Sequence, residues 1–328
     1  KQGGPDVAPA FDVPACSVCR APAVVSQAYS GQNLCAHHLD RSVRKKVGRE
    51  LRKQLTIDGP TTVLAAISGG KDSAVLLSML VDLIGNRPDV RIVAGCVDEG
   101  IEGYRPPSIK AAAQLCEMLD VEFITTSFAE QDFLAMDEVT ASLDAILNKH
   151  PEAPRLPCSY CGVFRRQGIN ALAEMVEADV VALGHNLDDM AQTVLMNLTA
   201  GEVERSRRLA PHTERPAEGL APRIVPLRLI PEQEVHLVSM HRGLPIHNEV
   251  CPNAEGALRW RMRDVVATLE EDRPGTRHGL VRTLDAIRAM TPAEGDAAEP
   301  VGACERCGSA SSRAVCKACE MRDLVNVK

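Results

Sequence analysis

Ser68-Gly69-Gly70-Lys71-Asp72-Ser73 is the stretch that most constrains how this chain folds. An apolar run, Thr62 to Ile67, leads into it, and a second, Ala74 to Leu80, leads out. A strand, a tight glycine turn and a helix N-terminus in that order make a cradle for phosphate. Glycines let backbone N–H groups approach an anion closely, and the helix dipole favours negative charge at that end. Lys71 adds a point charge, and Ser68 and Ser73 add hydroxyl donors. The spacing is not that of a Walker A loop, which has four residues between its first glycine and Gly-Lys-Ser/Thr.

The rest of the chain continues the alternation. Strands are predicted over Thr62–Ile67, Arg91–Val97, Val121–Thr126 and Asp179–Leu183. Helices are predicted over Ser73–Leu83, Ser108–Leu119 and Arg165–Val176. Buried strands alternating with helices imply an α/β fold with a doubly wound parallel sheet. Such sheets bind ligands beyond the carboxyl ends of their strands. The glycine loop, Asp98-Glu99-Gly100 and Gly184-His185-Asn186 all follow strands, so they should line one crevice. His185 is read as a wall residue of that crevice rather than a proton carrier. The 328 residues allow one large domain with small appendages. No apolar run reaches eighteen residues, so no membrane-spanning helix is expected. Lys1 to Ala10 is polar, carries no signal-like apolar core, and is expected to fray.

Twelve cysteines are many, and their spacing speaks for metal. Cys16-x2-Cys19 is followed, after fifteen residues, by Cys35-x2-His38. Cys304-x2-Cys307 is followed, after eight, by Cys316-x2-Cys319. Each pair offers two ligands from one tight turn, and two pairs close a tetrahedron around zinc. His37 competes with His38, and spacing favours His38. Units with so few apolar residues need the ion in order to fold, so both zincs would be structural. Disulfides are the competing reading, but a nucleotide fold without an export signal points to the reducing cytoplasm. Cys96 and Cys116 stand alone in apolar patterns and read as small buried hydrophobes.

Cys158-x2-Cys161 with Cys251 is different, because it has three thiols rather than four. Arg165 and Arg166 follow, and positive charge favours thiolate. Three readings stay open on spacing alone. One is an iron–sulfur cluster on three cysteines with one iron free. Another is a persulfide-carrying redox pair helped by Cys251. The third is a further structural zinc with His247 or another fourth ligand.

Net charge is −7, so nucleic-acid binding would have to come from local surfaces. Arg41, Arg44, Lys45, Lys46, Arg49, Arg52 and Lys53 crowd one segment with only Glu50 opposing. Arg205, Arg207 and Arg208 form a second cluster, and Arg259, Arg261 and Arg263 flank Trp260. Such clusters bind phosphate in a salt-dependent way. Trp260 itself is expected in the core or at an interface.

Taken together, these motifs resemble a known family. The loop at Ser68–Ser73 resembles the PP-loop of the ATP pyrophosphatase superfamily, whose members split ATP between the α- and β-phosphates. The CxxC/CxxH unit, that loop, Pro157-Cys158-x2-Cys161-Gly162-x2-Arg165-Arg166, the late Cys251 and the terminal CxxC/CxxC unit resemble the tRNA 2-thiolation enzymes of the TtuA type and their wobble-uridine relatives. Gly184-His185-Asn186-Leu187-Asp188-Asp189 and Val97-Asp98-Glu99-Gly100-Ile101 fit the same family. The resemblance runs from Cys16 to Cys319. The related cytidine-thiolating enzymes lack the two flanking zinc units.

The resemblance implies a set of roles. Ala66, Ser68, Gly69, Gly70, Lys71, Asp72, Ser73, Arg165, Gly184 and Asp189 would contact ATP, with Asp72 or Asp189 holding Mg2+. Cys158, Cys161 and Cys251 would hold a 4Fe-4S cluster whose fourth iron binds the sulfide to be transferred. Cys158, Cys161, Cys251, Lys71, Asp72 and Asp189 are thus the expected catalytic residues. The implied reaction adenylates uridine O2, replaces that oxygen by sulfide at C2 and releases AMP. Partners would be tRNA, a sulfur donor (sulfide or a ubiquitin-like thiocarboxylate protein) and a second copy in a homodimer, in the cytoplasm. The expected layout is a zinc finger at 14–40, a basic linker helix at 41–60 and a catalytic domain at 61–290. A linker at 291–303 and a second zinc finger at 304–322 follow. The competing classes are a PP-loop ligase or amidotransferase acting on another carbonyl, and a non-catalytic zinc-containing RNA-binding protein.

Overall fold

The computed structural model describes residues 13–212, 219–254, 256, 258–290 and 302–326. The predicted frayed start, Lys1 to Ala10, and all but the last two residues of the predicted linker at 291–303 lie outside them.

In chain order the regular elements begin with β1 (Val25–Gln27), β2 (Gln32–Leu34), α1 (Ala36–Gln54), β3 (Thr61–Ala66), α2 (Lys71–Ile84), β4 (Val90–Asp98) and α3 (Arg105–Leu119). Next come β5 (Glu122–Ser127), α4 (Met136–Ala141), α5 (Leu143–Lys149), α6 (Pro157–Met175), β6 (Val180–Leu183), α7 (Leu187–Thr199), α8 (Val203–Arg207) and β7 (Arg223–Ile224). The chain closes with α9 (Glu232–His241), α10 (Leu258–Asp272), α11 (Thr276–Met290), β8 (Gly302–Ala303), β9 (Ala310–Ser311) and α12 (Lys317–Val325).

Five strands form one parallel sheet in the order β5-β4-β3-β6-β7. The four strands expected from sequence are its inner members and one edge; β7, two residues long, carries no such signal. Alternation along a strand sends Val63 and Ala65 to one face and Leu64 to the other. On the first face lie α1, α2 and α9. Helix α2 is buried over most of its length, as a helix apolar all round must be. Helix α1 covers it with Leu39, Val43, Val47 and Leu51, four residues apart and all buried. The other face carries α6, whose Phe164 stacks on Phe133 at 4.3 Å while Phe128 meets both rings edge-on. The C-terminal cysteine unit joins this second core through Met321 and Val325. Cys96 and Cys116 are buried as expected, and burial pushes the Cys116 thiol up to about 12.

Four helices begin earlier than the sequence suggests: α2 and α3 by two and three residues, at Lys71 and Arg105, and α1 and α6 by more. Helix α1 begins at Ala36, inside the first cysteine unit, so the basic segment is continuous with that unit. Helix α6 begins at Pro157, eight residues before Arg165. Proline at the first helical position lacks only an N–H that would be unpaired there anyway. The CxxC pair therefore sits in the first turn of a helix. No helix among the described residues is long and apolar enough to cross a membrane.

A buried polar joint fastens α1 to the rest. Arg228, 6 % exposed, pairs with Glu50 at 3.5 Å and with Asp285 of α11. Gln54 accepts the Val225 N–H at 2.7 Å and donates to Glu50 at 3.2 Å. Replacing Arg228 with Met should leave the buried Glu50 with only Lys53 and Gln54 as partners, at a cost of about 1–3 kcal/mol. Urea unfolding of the variant measures it, and a loss near zero would mean that the joint carries no stability.

Candidate active site

The glycine loop takes the shape its sequence demands. Gly69 has φ +84°, and a Cβ there would lie 2.0 Å from the Ser108 carbonyl oxygen of α3. Gly70 is the N-cap of α2. The Ser73 hydroxyl receives the Ser68 N–H at 3.1 Å and donates to the Gly70 carbonyl at 2.9 Å, closing the turn. A Cβ on Gly184 would stand 3.1 Å from the Ser73 nitrogen, so the β6 end lies directly on the start of α2.

A cavity of about 230 Å3 opens at the carboxyl ends of the strands. Ala66 lines it from β3, Ser68 from the loop that follows, Asp72 and Ser73 from α2, Glu99 from the β4 end, Gly184 and His185 from the β6 end, Asp189 from α7 and Arg165 from α6. The three post-strand segments thus share one crevice, as the sheet topology requires. Gly69, Gly70 and Lys71 do not line it; they continue the loop beyond Ser68.

Charges around the cavity are paired in a definite order. Lys71 Nζ lies 3.0 Å from Asp72 and 2.8 Å from Glu232, the first residue of α9. Burial pulls Lys71 down, but the two carboxylates outweigh it and hold its pKa above the usual value. Burial pushes Asp72 up, against Lys71 and a 2.9 Å hydrogen bond from Asn186. Asn186 and Asp189 form a reciprocal capping box at the start of α7, and Arg259 of α10 reaches Asp189 at 3.5 Å. Desolvation lowers the His185 pKa, so its ring is neutral at physiological pH.

Glu99 is the joint of this network. It is 3 % exposed and bound by Arg105 and, at 2.7 Å, by Arg165. Arg105 also donates to the Ser68 carbonyl at 3.1 Å and the Val97 carbonyl at 2.5 Å. Arg165 donates to the Cys161 sulfur at 3.2 Å. One buried carboxylate therefore connects the glycine loop to the cysteine turn of α6.

The two terminal cysteine units have the geometry of single-ion sites. The ligand atoms of Cys16, Cys19, Cys35 and His38 lie within 4.8 Å of one another, as do those of Cys304, Cys307, Cys316 and Cys319. His37 is not in the first set. Against the cost of desolvation, surrounding N–H groups pull the Cys16 and Cys304 thiols down to about 6. Such thiols are thiolates at neutral pH, the form that binds metal.

Cys158, Cys161 and Cys251 are arranged otherwise. Cys158 and Cys161, three residues apart, share one face of the first turn of α6. Cys158 is exposed and donates to the Asn253 carbonyl at 3.0 Å; Cys161 is buried. Cys251 lies on the loop two residues before Asn253, close enough to Cys158 to raise its pKa. The three sulfurs do not converge within 4.8 Å as the terminal sets do. One tetrahedral zinc, with sulfur at about 2.3 Å, would require that convergence. Ligands to separate irons of a cluster are spread wider. His247 does not join the cysteines either; its backbone N–H donates to the Gly69 carbonyl at 2.8 Å and its ring meets Tyr104 edge-on. The expectation that Arg165 lowers the nearby thiols is corrected. Burial dominates and holds Cys158 and Cys161 above the ordinary thiol value, despite the arginine.

The basic segments divide into paired and unpaired side chains. On α1, Lys46 is drawn to Glu234, Arg44 to Asp82 and Lys53 to Glu50. Arg41, Lys45, Arg49 and Arg52 stay exposed without a carboxylate partner among the described residues. Arg259 and Arg263 are tied to Asp189 and Glu232. Trp260 is 42 % exposed with Arg263 over its ring, and so stands outside the core. Sequence reasoning missed Glu232 and Arg105. Both reach the site from elements whose local pattern carries no sign of it.

Comparison with known proteins fits this geometry. A family model described as the PP-loop domain matches residues 41–227. A second, the N-terminal LIM domain of the 2-thiouridine synthetase TtuA, matches residues 16–40. The tRNA 2-thiolation protein NcsA of Haloferax volcanii is 36% identical over 93% of this chain and 97% of its own length. The cytoplasmic tRNA 2-thiolation protein 1 of Bos taurus is 34% identical over 95% of this chain and 88% of its own. Among solved structures, the U34-tRNA thiolase NcsA from Methanococcus maripaludis, determined with its 4Fe-4S cluster, superposes with a TM-score of 0.79. It is 31% identical, and the match covers 96% of this chain and 98% of that one.

Two glycines with positive φ separate strain from collision. Gly31, at φ +69°, has open space where a Cβ would stand, so Gly31→Ala should cost only about 1–2 kcal/mol of backbone strain. Gly69→Ala should cost clearly more and abolish nucleotide binding, because the new methyl meets the Ser108 backbone. Denaturation and ATP titration of the pair measure this. Equal losses in the two variants would contradict the close approach.

Proposed function

The chain belongs to the tRNA 2-thiolation family of PP-loop proteins, and from that premise we propose that it is an ATP-dependent tRNA uridine 2-sulfurtransferase. The observation that carries the reading is the shared joint at Glu99, which ties the phosphate loop through Arg105 and the cysteine turn through Arg165. Activation and sulfur delivery need to act on one base in one crevice, and this joint couples their two halves.

The phosphates of ATP lie against the N–H groups of Ser68–Ser73 at the start of α2. Lys71 exchanges its contacts with Asp72 and Glu232 for the charge that develops on departing pyrophosphate. Mg2+ would be held by the carboxylates of Asp72 and Asp189, which lie within electrostatic reach of each other. Uridine O2 attacks the α-phosphorus; a P–O bond forms, the bridge to the β-phosphate breaks and pyrophosphate leaves. Arg165, beside the cavity, steadies the α-phosphate with its planar fork. A sulfur nucleophile then bonds to C2 and AMP leaves with the old oxygen. His185, neutral, is a wall of the cavity. Closing the adenylated base between α6 and the β6 end keeps water from hydrolysing it.

Cys158, Cys161 and Cys251 are the ligands proposed for a 4Fe-4S cluster, and their separation suits three irons better than one zinc. When bound, such a cluster leaves one iron open to the sulfur atom to be transferred. That sulfur would come from free sulfide or from a ubiquitin-like thiocarboxylate protein. The two terminal units each hold a structural zinc, and the protein works in the cytoplasm, like the relatives named for it. Position 34 is the target supported by the Methanococcus structure, whose protein acts there.

Protein purified without oxygen should contain about four irons and four sulfides per chain. Cys158→Ala should abolish thiolation of a tRNA transcript while ATP binding persists. A colourless, iron-free and fully active protein would refute the reading. Chelation of zinc should unfold both terminal units and lower the thermal midpoint. An unchanged midpoint after verified zinc loss would remove the structural role from these ions.

A further inference from the structure

Three arginines between the cysteine turn and the sheet edge have no carboxylate partner among the described residues. Arg166 stands next to Arg165 on α6, exposed and, among the described residues, without a hydrogen bond from its side chain. Its guanidinium folds back toward the helix start, 3.8 Å from where a Cβ on Gly162 would lie. Arg223 of β7 donates to Asn170 Oδ1 at 2.7 Å. Asn170 is one helical turn after Arg166, on the same face of α6, so the Arg223 guanidinium is brought alongside Arg166. Arg205 of α8 approaches closely enough to repel Arg166. The contact with Asn170 places the Arg223 guanidinium on the Arg166 face of α6, with Arg205 near enough for its charge to act on Arg166, and the described residues offer the three a neutral amide and no carboxylate. Their neighbours do not help them: desolvation and adjacent positive charge hold Arg166 and Arg223 below the usual guanidinium range. A cluster that is unfavourable alone is relieved by an anion.

We infer that Arg166, Arg205 and Arg223 form the seat for the phosphodiester backbone of the RNA next to its reacting nucleotide, an inference that rests on the thiolation reading above. The phosphates of ATP have their own seat on the loop after β3. Two strand spacings, about 10 Å, separate β3 from the edge strand β7 that carries Arg223. Anions spaced along a backbone match spaced guanidiniums better than the compact triphosphate already accounted for. Arg207, which sequence grouped with Arg205, is turned to Glu204 at 2.9 Å and takes no part. The seat begins five residues after Cys161, so an RNA backbone held there delivers its base to the crevice between Arg165 and the cysteine turn.

The test uses the full-length protein and an unmodified tRNA transcript, with affinity measured by fluorescence anisotropy across a salt series and ATP affinity measured separately. Arg166→Gln and Arg205→Gln suit the test because both side chains are exposed and hold no other described residue in place, so neither change should disturb folding. Each variant should bind tRNA more weakly and lower the slope of log affinity against log salt by about 0.7 to 0.9, leaving ATP affinity as in the parent. Weakened ATP binding with unchanged tRNA binding would overturn the inference and hand the arginines to the nucleotide. Unchanged tRNA affinity and slope in both variants would overturn it as well. Failure of the parent protein itself to bind or thiolate tRNA would instead refute the functional reading beneath it.

Discussion

The buried carboxylate of Glu99 is the interaction on which the rest of this molecule depends. It follows β4, lies out of solvent and meets two guanidiniums. A lone carboxylate in that place would be strongly disfavoured; two arginines make it tolerable, and it fixes both of them in turn. Arg105 holds the glycine loop through the Ser68 carbonyl. Arg165 holds the first turn of α6 through the Cys161 sulfur. Two pieces of chain far apart in sequence are thereby set at fixed positions around one cavity. The sheet brings them near each other, and the ion pairs set their distance.

A parallel sheet explains why this joint can exist. Every strand that matters, β3, β4 and β6, points its carboxyl end to the same side, and each is followed by a segment that carries chemistry. The peripheral units then extend the surface. Helix α1 grows out of the first cysteine unit and presents Arg41, Lys45, Arg49 and Arg52 to solvent. The second cysteine unit is built into the core beneath α6 through Met321 and Val325. Both ends are thus mechanically continuous with the central domain, which suits a protein that must hold a large polyanion against a small crevice.

Much of this is legible in the sequence because it is local. The strand, glycine turn and helix at Ser68 are adjacent in the chain, and their periodicities announce them. The ligand spacing of Cys16, Cys19, Cys35 and His38 is fixed by tight turns, so it can be read without a fold. What cannot be read depends on long-range contacts. Glu232 reaches Lys71 across 161 positions of sequence, and nothing in Pro231-Glu232 marks it. Arg223 sits on an edge strand too short to carry a periodic signal. The thiol environment of Cys158 and Cys161 departs from expectation because charge is visible in a sequence and burial is not. Of the two places expected for Trp260, core or interface, the core is excluded, since the ring is half-exposed with Arg263 over it.

One activity gives all these parts their purpose: installation of sulfur at C2 of a tRNA uridine. The most direct measurement is mass spectrometry of tRNA nucleosides, mapped by position, from cells with and without the protein. 2-Thiouridine should disappear from one position, position 34 first among those to examine, and return with the parent gene but not with Cys158→Ala. Thiouridine unchanged at every position in the deleted cells would contradict that activity.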